Sequence, residues 1–169
     1  MKKIRAAVVG YGNIGKYALE ALETAPDFEV AGIVRRNGAE NKPAELAPYE
    51  VVKDIKELKD VDVAILATPT RSCEEYAKQI LPLGINTVDS FDIHGLIRDY
   101  RRTLMDLNKK TNTVSVIAAG WDPGSDSIVR TLMRVWLLKA SHILTLAPAC
   151  QWDTACVFAL RRALRTHFQ

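Results

Sequence analysis

The chain has 169 residues, 48% of them hydrophobic and 25% charged, with a formal net charge of +3. That is length for one core or a little more in an ordinary globular composition, and it contains no uncharged span long enough to cross a bilayer. The basic excess sits at one end: residues 1–133 carry 18 Lys+Arg against 19 Asp+Glu, and residues 134–169 carry 5 against 1, so the charge gives no reason to expect a nucleic-acid partner.

The opening MKKIRAAVVG is basic and then apolar, as a signal peptide is. Its apolar run is short and stops at glycine, so it reads as the first strand of a cytoplasmic protein with no membrane partner. GKYALEALETA follows as a helix with Ala18, Leu19 and Leu22 on one face, and FEVAGIVR is a second strand. NGAENKPAELAPYEVVKDIKELKD is the least regular stretch. VDVAILAT is a third strand and CEEYAKQILPLG a helix. NTVDSF is a fourth strand, IRDYRRTLMDLNKK an amphipathic helix with Leu104 and Leu107 facing in, TVSVIAAG a fifth strand, and SDSIVRTLM the start of another helix. Strands alternating with helices predict an α/β fold with a parallel sheet and right-handed crossovers. Cys73, Cys150 and Cys156 make no disulfide framework, and no metal site is expected.

VVGYGNIGK holds Gly10-x-Gly12-x-x-Gly15 after a strand and at the opening of a helix, the context that gives this spacing meaning. Gly10 permits the turn, Gly12 lets a pyrophosphate approach the backbone, and Gly15 lets the helix pack on the strand. The loop Gly10, Tyr11, Gly12, Asn13, Ile14 and Gly15, with Thr68 at the end of the third strand, forms the expected cofactor set of a Rossmann-type domain. An NAD site usually has Asp or Glu after the second strand. GIVRRN has Arg35 and Arg36, whose guanidinium groups suit a 2′-phosphate, so NADP is the expected cofactor. The alternative for this pair is a solvated surface position.

Two acidic stretches, VDSFDIH and AAGWDPGSDS, follow later strands, at the edge where ligands of open α/β sheets bind. Asp89, Asp92 and Asp122 are expected to converge there on a substrate ammonium group. Asp92 and Asp122 are favoured for function, while Asp89 and Asp126 are equally well read as turn formers or caps. Trp121 would present its indole beside Asp122. A lone loop histidine such as His94 is more often solvated than catalytic.

VVGYGNIGK, GIVRRN, TVDSFDIH and GWDPGSDS, in this order and spacing, resemble the meso-diaminopimelate dehydrogenase family over residues 1–133. The resemblance implies NADP-dependent oxidative deamination of the D-configured carbon of meso-2,6-diaminopimelate. The products are ammonia and L-2-amino-6-oxopimelate, in lysine and cell-wall precursor metabolism. It implies that Gly10–Gly15 and Arg36 hold NADP, and that Asp92 and Asp122, with Trp121 beside them, bind the reacting amino group. Leu96 stands where the family can carry a further acid. The full-length family is expected to be a homodimer, with a substrate and dimerisation region that this chain lacks. Residues 134–169 break the strand-helix order. Joining the last base of each codon to the first two of the next across Lys139–Cys156 permits GITYTNFGPGMSMGHSV, which looks like the family's next segment. The tail is therefore expected to be an out-of-frame continuation, and the chain to be inactive alone. The alternatives are a basic helical tail, another NADP-linked reductase of this domain type, or a non-catalytic NADP-binding fragment.

Overall fold

The computed structural model describes residues 2–121, together with 128, 129 and 132. A parallel sheet organises them. Its strands are β1 (Ile4–Val9), β2 (Phe28–Val34), β3 (Val51–Val52), β4 (Val63–Leu66), β5 (Asn86–Asp89) and β6 (Ser115–Val116), in the order β3-β2-β1-β4-β5-β6. Every neighbouring pair is parallel. The helices are α1 (Asn13–Thr24), α2 (Thr70–Ile80) and α3 (Ile97–Thr111). The order reverses at β1 and β4, and the crevice beyond their carboxyl ends is where such sheets take ligands.

The central strands are apolar without alternation because both faces are covered. Ala7 and Val9 point into one core with Ala64, Leu66, Cys73, Ala77, Ile80 and Leu104, beneath α2 and α3. Ala6 and Val8 point into the other with Leu19, Leu22 and Ile33, beneath α1. Leu19 and Leu22 are buried and Ala18 half-buried, as the helical spacing predicts. On α3, Leu104 is buried and Leu107 half-buried, and Tyr100 one turn before Leu104 is buried as well.

The sheet has one strand more than the five read from the sequence. β3 is two residues long, too short to show a period. It forms because Val51 and Val52 pair with Ile33 and Val34. A capping box then turns the chain away: the Asp54 carboxylate accepts from Lys56 N at 2.9 Å, and the Glu57 carboxylate accepts from Asp54 N at 2.8 Å. Beyond the compact unit Met1–Pro123, Ile128, Val129 and Leu132 are helical and exposed. The rest of the helix expected over SDSIVRTLM, Asp122, Asp126 and the tail 134–169 lie outside the described residues. No helix among the described residues is long and apolar enough to cross a membrane.

The end of β5 is fixed by a buried carboxylate. Asp89 is 2% exposed and accepts from the Tyr100 hydroxyl at 2.6 Å, from Phe91 N at 3.0 Å and from Ala118 N at 3.2 Å. Its backbone carbonyl accepts from Ala119 N at 2.7 Å. The rings of Phe91 and Tyr100 stack with centroids 4.3 Å apart. Three segments meet at this residue: the end of β5, α3 and the stretch after β6. Burial and the neighbouring Asp89 carboxylate both push the Tyr100 phenol well above its ordinary value, so it remains a donor. Replacing Tyr100 by Phe keeps the stack and removes one donor from a buried charge. The expected cost is about 1–3 kcal/mol of stability, read as a lower urea midpoint at unchanged slope.

Candidate functional site

The turn from β1 into α1 is held by steric contact. Gly10 has φ +94°, and a Cβ there would lie 2.6 Å from the Ala67 carbonyl oxygen. A Cβ on Gly15 would lie 2.1 Å from the Gly10 carbonyl oxygen. Only hydrogen fits at either position, so the first turn of α1 sits directly on the strand ends. Gly12 differs: a Cβ there would meet nothing within 4 Å. It is the N-cap of α1, no side chain caps the helix, and no acidic residue occupies its first turn. The leading N–H groups and the positive end of the helix dipole therefore face an open space shaped for an anion.

That space is a cleft of about 760 Å³ lined by the glycine loop, by Val34 to Asn37 after β2, by Ala67 to Pro69 after β4, and by Lys53, Ser72 and Tyr76. It brings together Gly10, Tyr11, Gly12, Asn13, Ile14, Arg35, Arg36 and Thr68, with Gly15 packed behind them. Gly10 N donates to the Val34 carbonyl at 2.9 Å, which sets the end of β2 beside the loop. Arg35 is half-buried and Arg36 exposed. A turn closed by Gly38 N donating to the Arg35 carbonyl at 2.8 Å carries both. Lys53 was not anticipated, because it follows the strand too short to be read. Burial, reinforced by Glu45, Glu20 and Glu23, pushes the Tyr11 phenol up, so it stays protonated at neutral pH. Burial pushes the Cys73 thiol up against an opposing hydrogen bond from Thr68. Its Sγ lies 3.7 Å from Thr68 Oγ1 and 3.8 Å from the Pro69 carbonyl oxygen, a support for the cleft wall and not a nucleophile.

Along the same sheet edge, Asp92 follows β5 and Trp121 follows β6, neither of them lining the cleft. Asp92 N donates to Thr70 Oγ1 at 3.1 Å, its side chain is exposed, and Trp121 is 65% exposed. His94 opens a 3-10 turn and is exposed. The expected convergence of three aspartates is corrected in one respect. Asp89 is turned inward and fully engaged with Tyr100, Phe91 and Ala118, because a buried carboxylate must satisfy its lone pairs within the protein. Sequence reading left Asp89 undecided because the Tyr100 hydroxyl that engages it comes from the next helix.

Residues 4–89, about half of the chain, match the oxidoreductase family with an NAD-binding Rossmann fold. The chain is 72% identical over 133 residues to a meso-diaminopimelate D-dehydrogenase of Bacteroides fragilis, covering 79% of this chain and 44% of that one. Among solved structures it resembles a mutant meso-DAP dehydrogenase from Clostridium tetani with DAP, at 37% identity and a TM-score of 0.69, covering 81% of this chain and 43% of that one. It also resembles an engineered D-amino acid dehydrogenase bound to NADP+, at 29% identity and a TM-score of 0.68, covering 81% and 42%. The chain thus spans less than half the length of these relatives.

The two glycine environments separate folding from binding. Gly15→Ala forces a clash with backbone and is expected to lose about 1–3 kcal/mol of stability along with dinucleotide binding. Gly12→Ala meets open space and is expected to keep its thermal midpoint while losing dinucleotide binding, because its methyl group would stand where a pyrophosphate must approach the backbone. Thermal unfolding with and without NADP checks both.

Proposed function

We propose that this chain, which belongs to the oxidoreductase family with an NAD-binding Rossmann fold, is the cofactor-binding part of an NADP-dependent meso-diaminopimelate dehydrogenase. The observation that carries the reading is the 72% identity to the Bacteroides fragilis enzyme over 133 residues, which is also the length of the part that carries every motif. The reaction is the oxidative deamination of meso-2,6-diaminopimelate to L-2-amino-6-oxopimelate and ammonia in the cytoplasm.

The residues present fit the cofactor. The close contacts at Gly10 and Gly15 draw α1 onto the strand ends, the space over Gly12 stays open, and the uncapped α1 N-terminus faces it. Arg35 and Arg36 stand where an acid would hold a 2′-hydroxyl, and they favour a 2′-phosphate. NADP supplies the hydride acceptor. On the substrate side, Asp92 and Asp122 bind and orient the ammonium group at the reacting carbon, and Trp121 supplies an apolar wall beside it. Leu96 in place of a further acid makes this a pocket of two carboxylates.

Residues 1–133 are the cofactor domain in this reading, and residues 134–169 an out-of-frame continuation. The full-length enzyme is a homodimer.

Three outcomes are expected. Replacing Arg35 and Arg36 together by Ala weakens NADP binding about tenfold or more and NAD binding little, in a fluorescence titration. Equal losses for the two cofactors would remove the basis for NADP. In a frame-restored full-length protein, Asp122→Asn lowers kcat/KM for meso-diaminopimelate about thirtyfold or more at unchanged NADP affinity. The 169-residue chain forms no NADPH from meso-diaminopimelate, while the frame-restored protein does. Robust turnover by the short chain would refute the out-of-frame reading.

A further inference from the structure

Lys53 and Glu40 form an ion pair at the mouth of the cleft that no motif announces. β3 pairs in parallel with β2 through Val34 and Val52, and Arg35 N donates to the Val52 carbonyl at 2.9 Å. Arg35 and Lys53 are thus each the first residue past neighbouring strand ends, on the same edge of the sheet. Packing fixes the direction of the lysine. Its stem crosses Gly38 so closely that a Cβ there would lie 2.8 Å from Lys53 Cγ and 3.3 Å from Cε. Gly38 has φ +54°, which suits glycine. The Lys53 ammonium lies 3.0 Å from Glu40 Oε1, and both side chains are well exposed. Lys53 lines the same cleft as Arg35 and Arg36. No ion pair with a carboxylate is found for Arg35 or Arg36 among the described residues.

We propose that Lys53 is a third cation for the 2′-phosphate of the dinucleotide, and that Glu40 holds this ammonium when no phosphate is bound. The proposal rests on the NADP reading above and adds to it a residue and an internal competitor. An exposed Lys–Glu pair is weak, so it yields readily to a dianionic phosphate that is also held by two guanidinium groups. Glu40 then acts against the cofactor twice, by occupying Lys53 and by repelling the phosphate. Its removal should tighten binding, and removal of Lys53 should loosen it. Both effects are confined to ligands that carry the 2′-phosphate, and both shrink as salt rises.

The test compares adenosine 2′,5′-bisphosphate with 5′-AMP by calorimetric titration of the chain at low and high salt. Lys53→Met is expected to weaken the bisphosphate about three- to tenfold and to leave 5′-AMP unchanged. Glu40→Gln is expected to tighten the bisphosphate about two- to fivefold, with 5′-AMP again unchanged. Circular dichroism should be identical for both variants, since neither side chain is buried. If the unaltered chain shows no preference for the bisphosphate, the NADP reading itself falls. If it shows the preference and Arg36→Ala reduces it while Lys53→Met does not, the NADP reading stands and the role given to Lys53 is overturned. Weaker binding of both ligands to Glu40→Gln would make Glu40 a ribose ligand and overturn its role as competitor.

Discussion

The approach of α1 to the ends of β1 and β4 is the constraint on which the rest depends. Gly15 lies against the Gly10 carbonyl, and Gly10 lies against the Ala67 carbonyl, with no room for a side chain at either contact. Two further backbone bonds lock the arrangement: Gly10 N to Val34 O at 2.9 Å and Ala67 N to Val9 O at 2.8 Å. The first turn of α1 therefore cannot slide outward, and its free N–H groups are presented at the reversal of strand order. A longer turn or a larger residue would move the dipole end away from the crevice and leave a sheet with no anion site.

From that fixed point the sheet edge divides electrostatically. On the β2–β3 side stand Arg35, Arg36 and Lys53. On the β5–β6 side, Asp92 follows the buried Asp89. Asp89 performs structural work on behalf of its neighbours. By accepting from Phe91 N, Ala118 N and the Tyr100 hydroxyl, it ties the segment leading to Asp92 to the segment leading to Trp121. In the proposed enzyme, a cation-rich end for a phosphate and an acidic end for an ammonium group would lie on one edge, separated by the middle of the crevice. In the proposed reaction, that gap is where the reacting carbon and the hydride acceptor meet.

Much of this was legible in the sequence. β4 and the carboxyl-terminal halves of β1 and β2 read as apolar runs, β5 is a short mixed run set off by its neighbours, and α1 and α3 carry a clear helical period. The glycine spacing and the Arg35–Arg36 pair are local signals, since their meaning depends only on the strand before them and the helix after. What could not be read depended on partners far along the chain. β3 is two residues whose strand character comes from pairing with β2. Lys53 enters the cleft only because β3 exists. Asp89 could be read equally as a substrate carboxylate or a turn former, because its engagement by Tyr100 arises from the folding of α3 back across the sheet.

Holding a dinucleotide and using it make different demands on a structure. Binding needs one edge: a cradle, a dipole end and a few cations, each anchored to rigid strands here. Hydride transfer in addition needs the substrate carbon held within contact distance of the nicotinamide and water kept out. Among the described residues nothing covers Asp92 or Trp121. Asp92 is exposed and Trp121 is 65% exposed. An exposed carboxylate attracts an ammonium group only weakly, because water screens the pair. The same carboxylate becomes selective once its surroundings are dry, where leaving it unpaired is costly. In the proposed enzyme, the chemistry of Asp92 and Trp121 is thus latent in this unit, and closure by further protein surface would convert an open acidic edge into a pocket able to hold one amino group at the reacting carbon.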